Sequence, residues 1–303
     1  MVIGYIGSPI VLWDMVLITL LKDNNMWNKN GFFILFVILS FYSCNNRDRI
    51  VDQRRLSNYD YRQFQGTPAW SLAKAVEDAN EEEIISIVRN NPPIINYKSP
   101  KYGVTVLHLA VSHHNIKSVE CLLNLNADVN IRDTESGDTP LNDACIATHA
   151  GKDGIKIIKL LIENGAKINV TELADSSKMP WSPLMSACFD GSIEVVKLLI
   201  AKGADVNYVM NDERTALGES IVLEHYKIAY YLLLKGADYT IPIMHIRDYS
   251  KKGNGKIVRS VSIKEALEGK RINYLTRERE YYYKIVDFLK RKGIIVKESS
   301  ERT

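Results

Sequence analysis

Cysteine is scarce in this chain, four residues in 303. No C-x-x-C pair and no Cys/His spacing suits zinc, so a structural zinc site is excluded by motif. Charge of one sign is lacking as well. Basic residues number 39 and acidic residues 36, a formal net charge of +3. Bulk charge therefore does not favour a nucleic-acid partner. Long apolar runs are missing. The strongest, Phe32 to Ser43, is about a dozen residues, against the roughly 20 that a membrane-crossing helix needs. Catalytic signatures are absent too: no G-x-S-x-G and no H-E-x-x-H occurs. Lys251-Lys252-Gly253-Asn254-Gly255-Lys256 lacks the spacing of a phosphate loop. His113 and His114 point in different directions on a helix and cannot share an ion well. Glu81, Glu82 and Glu83 begin a helix, where acidic side chains suit the positive dipole end. No nucleophile has a plausible base. The sequence predicts a chain without catalytic residues, cofactor or metal.

What is present is a phrase that recurs. Val104-Thr105-Val106-Leu107-His108-Leu109-Ala110 is followed by Asp138-Thr139-Pro140-Leu141-Asn142-Asp143-Ala144. Trp181-Ser182-Pro183-Leu184-Met185-Ser186-Ala187 and Arg214-Thr215-Ala216-Leu217-Gly218-Glu219-Ser220 come next. Each copy leads into an apolar helical run that ends on a small-residue stop: Asn126-Ala127-Asp128-Val129-Asn130, Gly165-Ala166-Lys167-Ile168-Asn169, Gly203-Ala204-Asp205-Val206-Asn207 and Gly236-Ala237-Asp238-Tyr239-Thr240. A fixed period near 33 residues means a solenoid. Pro140 and Pro183 suit a first helical turn. Thr105, Thr139, Ser182 and Thr215 stand where a hydroxyl caps free amides. The stops need positive φ, which Gly and Asn supply. Thr105 to Thr139 is 34 residues, but Thr139 to Ser182 is 43. That repeat carries about ten extra residues, divided between the link Ile146 to Asp153 and the finger leading to Ser182. Insertions in solenoids map to loops.

At these residues the chain resembles the ankyrin repeat family, over roughly Pro68 to Ile295. The resemblance implies an all-α solenoid of helix-turn-helix units with short hairpin fingers, about six repeats in residues 68–295. Pro68 to Lys98 reads as an N-terminal capping repeat. Val261 to Leu267 and Tyr281 to Leu289 read as the helices of a final one, after an irregular link from Ile241 to Ser260. Residues 296–303 read as a tail. From Ile241 to Gly293 basic residues outnumber acidic ones fourteen to six. That excess suits either a solvated capping face or contact with anionic lipid or an acidic partner. Cys121, Cys145 and Cys188 read as buried and unbridged, because stacked repeats lie farther apart than a disulfide allows. The resemblance assigns His108 to hydrogen bonds between repeats.

The N-terminus reads as an address. The apolar run stops at Cys44, after Lys29 and before a polar stretch, which resembles a bacterial lipoprotein signal. In that family the Cys is the lipidated first residue. Ser43 matches the small residue before it; Phe41 and Tyr42 depart from the pattern. Met26 fits a natural start, which makes residues 1–44 an export segment and 45–67 a polar tether. An uncleaved membrane anchor and a cytoplasmic chain with an unusual N-terminus are the alternatives.

The expected function is a non-catalytic scaffold at a bacterial cell envelope. It would be held by a lipid anchor or by the N-terminal hydrophobic segment, and would bind a protein rather than nucleic acid. The resemblance places the binding face on the concave side: Tyr102, His113, Ser136, Asp138, Trp181, Phe189, Asp190, Asp212 and Arg214. Register adds Lys101, Val104, Ser112, Thr134, Ile146, Met210, Val222 and Leu223. Trp181 and Phe189 are candidate anchors; packing of Trp181 against the inserted finger Asn169 to Pro180 is the alternative. The competing functions are a structural envelope protein without a dedicated partner and an enzyme with its site in residues 241–280.

Overall fold

The computed structural model describes residues 50–146, 151–169, 181–210, 212–248, 256–268 and 277–297. The export segment with Cys44, the link at 147–150, and the inserted finger at 170–180 lie outside the described residues. The chain divides into two units, residues 1–52 and 53–303, and every described helix and strand lies in the second.

Six helix pairs stack in order: α1 (Trp70–Glu77) with α2 (Glu81–Asn90), α3 (Val106–Ser112) with α4 (Ile116–Asn124), and α5 (Pro140–Ile146) with α6 (Lys152–Glu163). Then come α7 (Pro183–Asp190) with α8 (Ile193–Ala201), α9 (Ala216–Val222) with α10 (Tyr226–Leu234), and α11 (Ile263–Leu267) with α12 (Glu278–Arg291). The first helices touch from repeat to repeat along the whole series. One continuous core runs through the stack, with Leu72, Leu107, Leu141, Leu184 and Leu217 recurring at the phrase position. Leu161 and Leu199 fill the second-helix layer, both fully buried. An ankyrin solenoid is the fold, as the repeats imply.

The stops work as helix ends. Asn126, Gly165, Gly203 and Gly236 have φ of 63°, 87°, 92° and 89°. The N–H of the next residue turns back to a carbonyl five residues earlier, as in Ala204 N to Leu199 O at 3.0 Å and Ala237 N to Leu232 O at 3.0 Å. That is the Schellman ending, which satisfies carbonyls the helix leaves free. A Cβ at Gly203 would meet nothing within 4 Å, so its cost is backbone strain alone.

The Asn closing the first three stops has a job that periodicity does not reveal. Asn169 Nδ2 donates to Gly203 O at 3.0 Å, and its Oδ1 accepts from Asp205 N at 2.8 Å. Asn130 makes the same pair with Gly165 and Lys167, and Asn207 with Gly236 and Asp238. A ladder of side-chain amides therefore ties the second to fifth helix pairs together.

Three boundaries differ from expectation. The link Ile241 to Ser260 is not irregular throughout. Strands β1 (Met244–Asp248) and β2 (Lys256–Val261) pair antiparallel, with a register shift between Ile246 and Arg247. This is an enlarged finger, and it explains Gly218 at the signature His position. A Cβ there would lie 2.8 Å from Ile243 O, at the entry to the hairpin. At the C-terminus Val296 is buried, so the last repeat extends past residue 295. At the N-terminus the tether assigned to residues 45–67 is packed from Gln53 onward. Phe64 is fully buried and Leu56 is 8% exposed. Two short 3-10 turns, Gln53–Arg55 and Tyr61–Phe64, carry this segment.

Candidate interaction surface

The candidate face is made by the first helices and the fingers. Three of the described fingers are tight turns. Ser99 N donates to Val104 O at 2.8 Å, Asp133 N to Asp138 O at 2.9 Å, and Met210 N to Arg214 O at 3.0 Å. Successive fingers are joined by Thr134 N to Tyr102 O at 2.7 Å. Val104 and Met210 are buried, 1% and 3% exposed. Their place on the expected surface is corrected: these turns point their apolar side chains into the stack.

The second finger is organised by Asp133, a residue that no motif in the sequence singles out. Its carboxylate accepts from the N–H groups of Glu135, Ser136, Gly137 and Asp138 at 2.7–3.2 Å, and from Ser136 Oγ at 2.7 Å. Ser136 is therefore exposed but engaged. Asp138 is half-buried, and its Oδ1 has no partner. Burial pushes its carboxyl up to about 6, against an opposing bond from Ser136. His113 is exposed and pairs with Glu77 at 2.8 Å, on the side toward the first repeat.

Farther along, four of the expected residues come together. The rings of Trp181 and Phe189 meet edge to face at 5.2 Å. The Arg214 guanidinium lies 5.1 Å over Trp181. It is held there by Asp212 at 2.7 Å and by Glu219 at 3.3 Å. Trp181 is fixed by its backbone as well, since Asn142 Nδ2 donates to its carbonyl at 2.7 Å. Phe189 is 47% exposed, and Ile146 and Val222, at equivalent positions of the neighbouring repeats, are 39% and 43% exposed. Asp190 is half-buried beside Phe189.

His108 is fully buried. Its Nδ1 lies 3.1 Å from Thr105 N and 2.9 Å from Thr105 Oγ1. These bonds lie within one repeat, and the Asp138 backbone of the next repeat also acts on the ring, at the place equivalent to the Trp181 carbonyl that Asn142 reaches. Burial lowers the His108 pKa to about 4, so it is neutral at ordinary pH. Cys121, Cys145 and Cys188 are buried free thiols. Burial pushes Cys188 up to about 12 and Cys145 higher still, which makes them poor nucleophiles. Among the described residues no His, Cys, Asp and Glu cluster suits a metal.

Comparison with known proteins agrees with the geometry. The family model for ankyrin repeats (three copies) matches residues 72–172 and 150–243, which span the second to fifth helix pairs and part of the first. An ankyrin repeat and KH domain-containing protein of Caenorhabditis briggsae is 34% identical over 150 residues, 42% of this chain and 6% of that protein. A putative ankyrin repeat protein of fowlpox virus is 37% identical over 93 residues, 31% of this chain and 26% of that protein. The chain thus spans a small part of these relatives' length, and the likeness is confined to the repeats. Because the family model covers more than half of the chain, in the same helix pairs that the stops and Asn bridges delimit, the chain belongs to the ankyrin repeat family.

Proposed function

We propose that this chain is a non-catalytic protein-interaction scaffold, which binds its partner through the first-helix and finger face. The Trp181–Phe189–Arg214 group carries the reading. Aromatic rings and arginine dominate interface energies, and here they sit pre-ordered and partly exposed on one repeat boundary. Ile146 and Val222 extend the apolar surface to either side. A folded repeat stack supplies a surface rather than a reaction site, and fold alone does not name the partner. Trp181→Ala and Phe189→Ala should each weaken capture of a partner by about 2 kcal/mol or more, with circular dichroism melts near the parent's. Glu194→Ala and Lys197→Ala, on α8, should leave capture intact. Loss of capture in the α8 variants alone would place the interface elsewhere.

The scaffold reading extends to a tethered one. The apolar run ending at Cys44 supports a lipid-anchored protein of a bacterial envelope, with an uncleaved anchor as the alternative. Among the described residues no helix is long and apolar enough to cross a membrane; the proposed attachment uses residues 1–44. Cys44→Ala should abolish labelling by a fatty-acid probe and leave the precursor unprocessed. Equal labelling in variant and parent would remove the lipoprotein reading.

A further inference from the structure

Residues 53–64 differ in how their two halves are held. The later half is built into the core. Phe64 is fully buried, Gln63 is 3% exposed, and Tyr61 stacks on Trp70 at 5.6 Å. The earlier half lies on repeats 2 and 3 mainly through hydrogen bonds to its backbone. Lys101 Nζ donates to the carbonyls of Gln53, Arg54 and Leu56 at 3.2, 3.1 and 3.3 Å. Tyr102 Oη donates to Leu56 O at 2.7 Å. Two apolar or aromatic side chains add to the contact. Leu56 is buried, and Tyr59 Oη donates to Asp143 Oδ1 at 2.9 Å, across 84 residues of sequence.

The receiving surface is poorly matched to Tyr59. Asp143 is 4% exposed, and its Oδ2 has no hydrogen-bond partner. Asp138 Oδ1 is likewise buried and unpartnered, and Asp133 adds a third carboxylate to the field at the Tyr59 hydroxyl. A phenol offers one donor and no charge. A guanidinium offers five donors and a positive charge, in the planar fork that a carboxylate accepts two at a time. Asp133 is filled by its own finger, but Asp143 Oδ2 and Asp138 Oδ1 are left without a donor by a single phenol.

We propose that the surface between Lys101–Tyr102 and Asp143 is a peptide-binding site that Gln53–Tyr59 occupies in cis, and that its partner is a segment that takes up the same 3-10 turn, with an apolar residue at the Leu56 place and an arginine three residues later. Lys101 and Tyr102 read the carbonyls of the turn. The Leu56 and Tyr59 places add side-chain specificity. The cis segment sets a threshold: a partner gains access to the fraction of molecules in which residues 53–59 have lifted, and its apparent affinity is reduced by that fraction. Phe64 keeps the released segment attached at its later end. The proposal rests on the scaffold reading and assigns a partner chemistry to a second part of the same face, apart from Trp181.

The probe is a synthetic peptide of residues 53–60 carrying Tyr59→Arg, against the unaltered peptide and one carrying Tyr59→Gln. The receptor is the full chain in detergent with Tyr59→Phe, which weakens the cis segment. The arginine peptide should bind at least about tenfold tighter than the other two, as expected of a charge-assisted pair over a neutral one. Asp143→Asn should remove that preference, and Lys101→Met should weaken all three peptides together. In the chain itself, Tyr59→Arg should slow amide exchange of residues 53–59 at least about tenfold, and Asp143→Asn should cancel the gain. Equal binding of the three peptides, a preference that survives Asp143→Asn, or unchanged exchange in Tyr59→Arg would overturn the proposal. Trp181→Ala should leave the peptide preference intact. If that preference is absent while Trp181→Ala still loses the captured partner, the scaffold reading stands and this site does not.

Discussion

Phe64→Ala should destabilise the repeat domain by about 3–5 kcal/mol, the cost of removing a fully buried aromatic ring from a packed core. Ser57→Ala, seven residues away on an exposed position, should change stability by less than about 0.5 kcal/mol. In a domain of this size the first change lowers the melting temperature by about 10 °C. The loss should be concentrated at the N-terminal end, because a solenoid's stability is a sum of local terms and neighbour interfaces. Amide exchange should therefore quicken first in α1 and in the segment before it. A free polar tether would give no effect at all, and near-identical melts for Phe64→Ala and the parent would return residues 53–67 to that status.

That contrast shows where the sequence was readable. The stops were legible because a chemical requirement stood behind each: positive φ at Gly165, Gly203 and Gly236, with Asn126 as the substitute that tolerates it. The helix pairs were legible because apolar residues recur at helical spacing, and the solenoid follows from their period. The packed segment 53–64 was not. Its buried residues, Leu56, Gln63 and Phe64, follow neither a helical nor an alternating pattern, and polar neighbours dilute them. Tertiary contact alone makes them core. The β1–β2 finger was hidden for a related reason. Polar and charged residues break the alternation, and a register shift at Ile246 and Arg247 interrupts what remains.

The candidate surface was half legible. Register placed Trp181, Phe189, Asp212 and Arg214 along the fingers and first helices, and the structure brings all four together. It did not bring Tyr102, Ser136 and Asp138 to a free surface. Tyr102 supports the cis segment, and the other two belong to the network around Asp133. Val104 and Met210 were misplaced because a finger residue's inward or outward direction depends on the turn, which periodicity does not encode. Asp143 was invisible as a special residue. Nothing in Asn142-Asp143-Ala144 announces a buried acid, and its hydrogen-bond partner, Tyr59, is far away in sequence.

Asp143→Asn should stabilise the protein at pH 7.5, by about 1–3 kcal/mol, the usual cost of a buried polar group left without its partner. Burial raises the Asp143 carboxyl well above the ordinary carboxylate range; the Tyr59 bond opposes it, and Asp138 and Asp133 push further up. Asp138 is raised to about 6 by the same cause. In the unfolded chain both groups titrate near about 3.9. Between that value and the folded ones the native state holds protons that the unfolded state has lost. Stability therefore falls as pH rises through this window, and the deficit persists above it. His108, held neutral by burial with its pKa lowered to about 4, works in the opposite direction between pH 4 and 6.5, so the parent's own slope is a sum and the comparison with the variant isolates the acid. The advantage of Asp143→Asn over the parent should be largest at pH 7.5 and should shrink as pH falls toward 4.5. Carboxyls shifted the other way, Asp60 and Asp238 among them, lose their stabilising bonds only at lower pH, so the window is clear of them. A variant advantage that does not shrink between pH 7.5 and 5, or a variant less stable than the parent at pH 7.5, would contradict this account. A side chain that weakens the fold at neutral pH needs another reason to stand on α5, and an arginine delivered by a partner would recover the lost stability as binding energy.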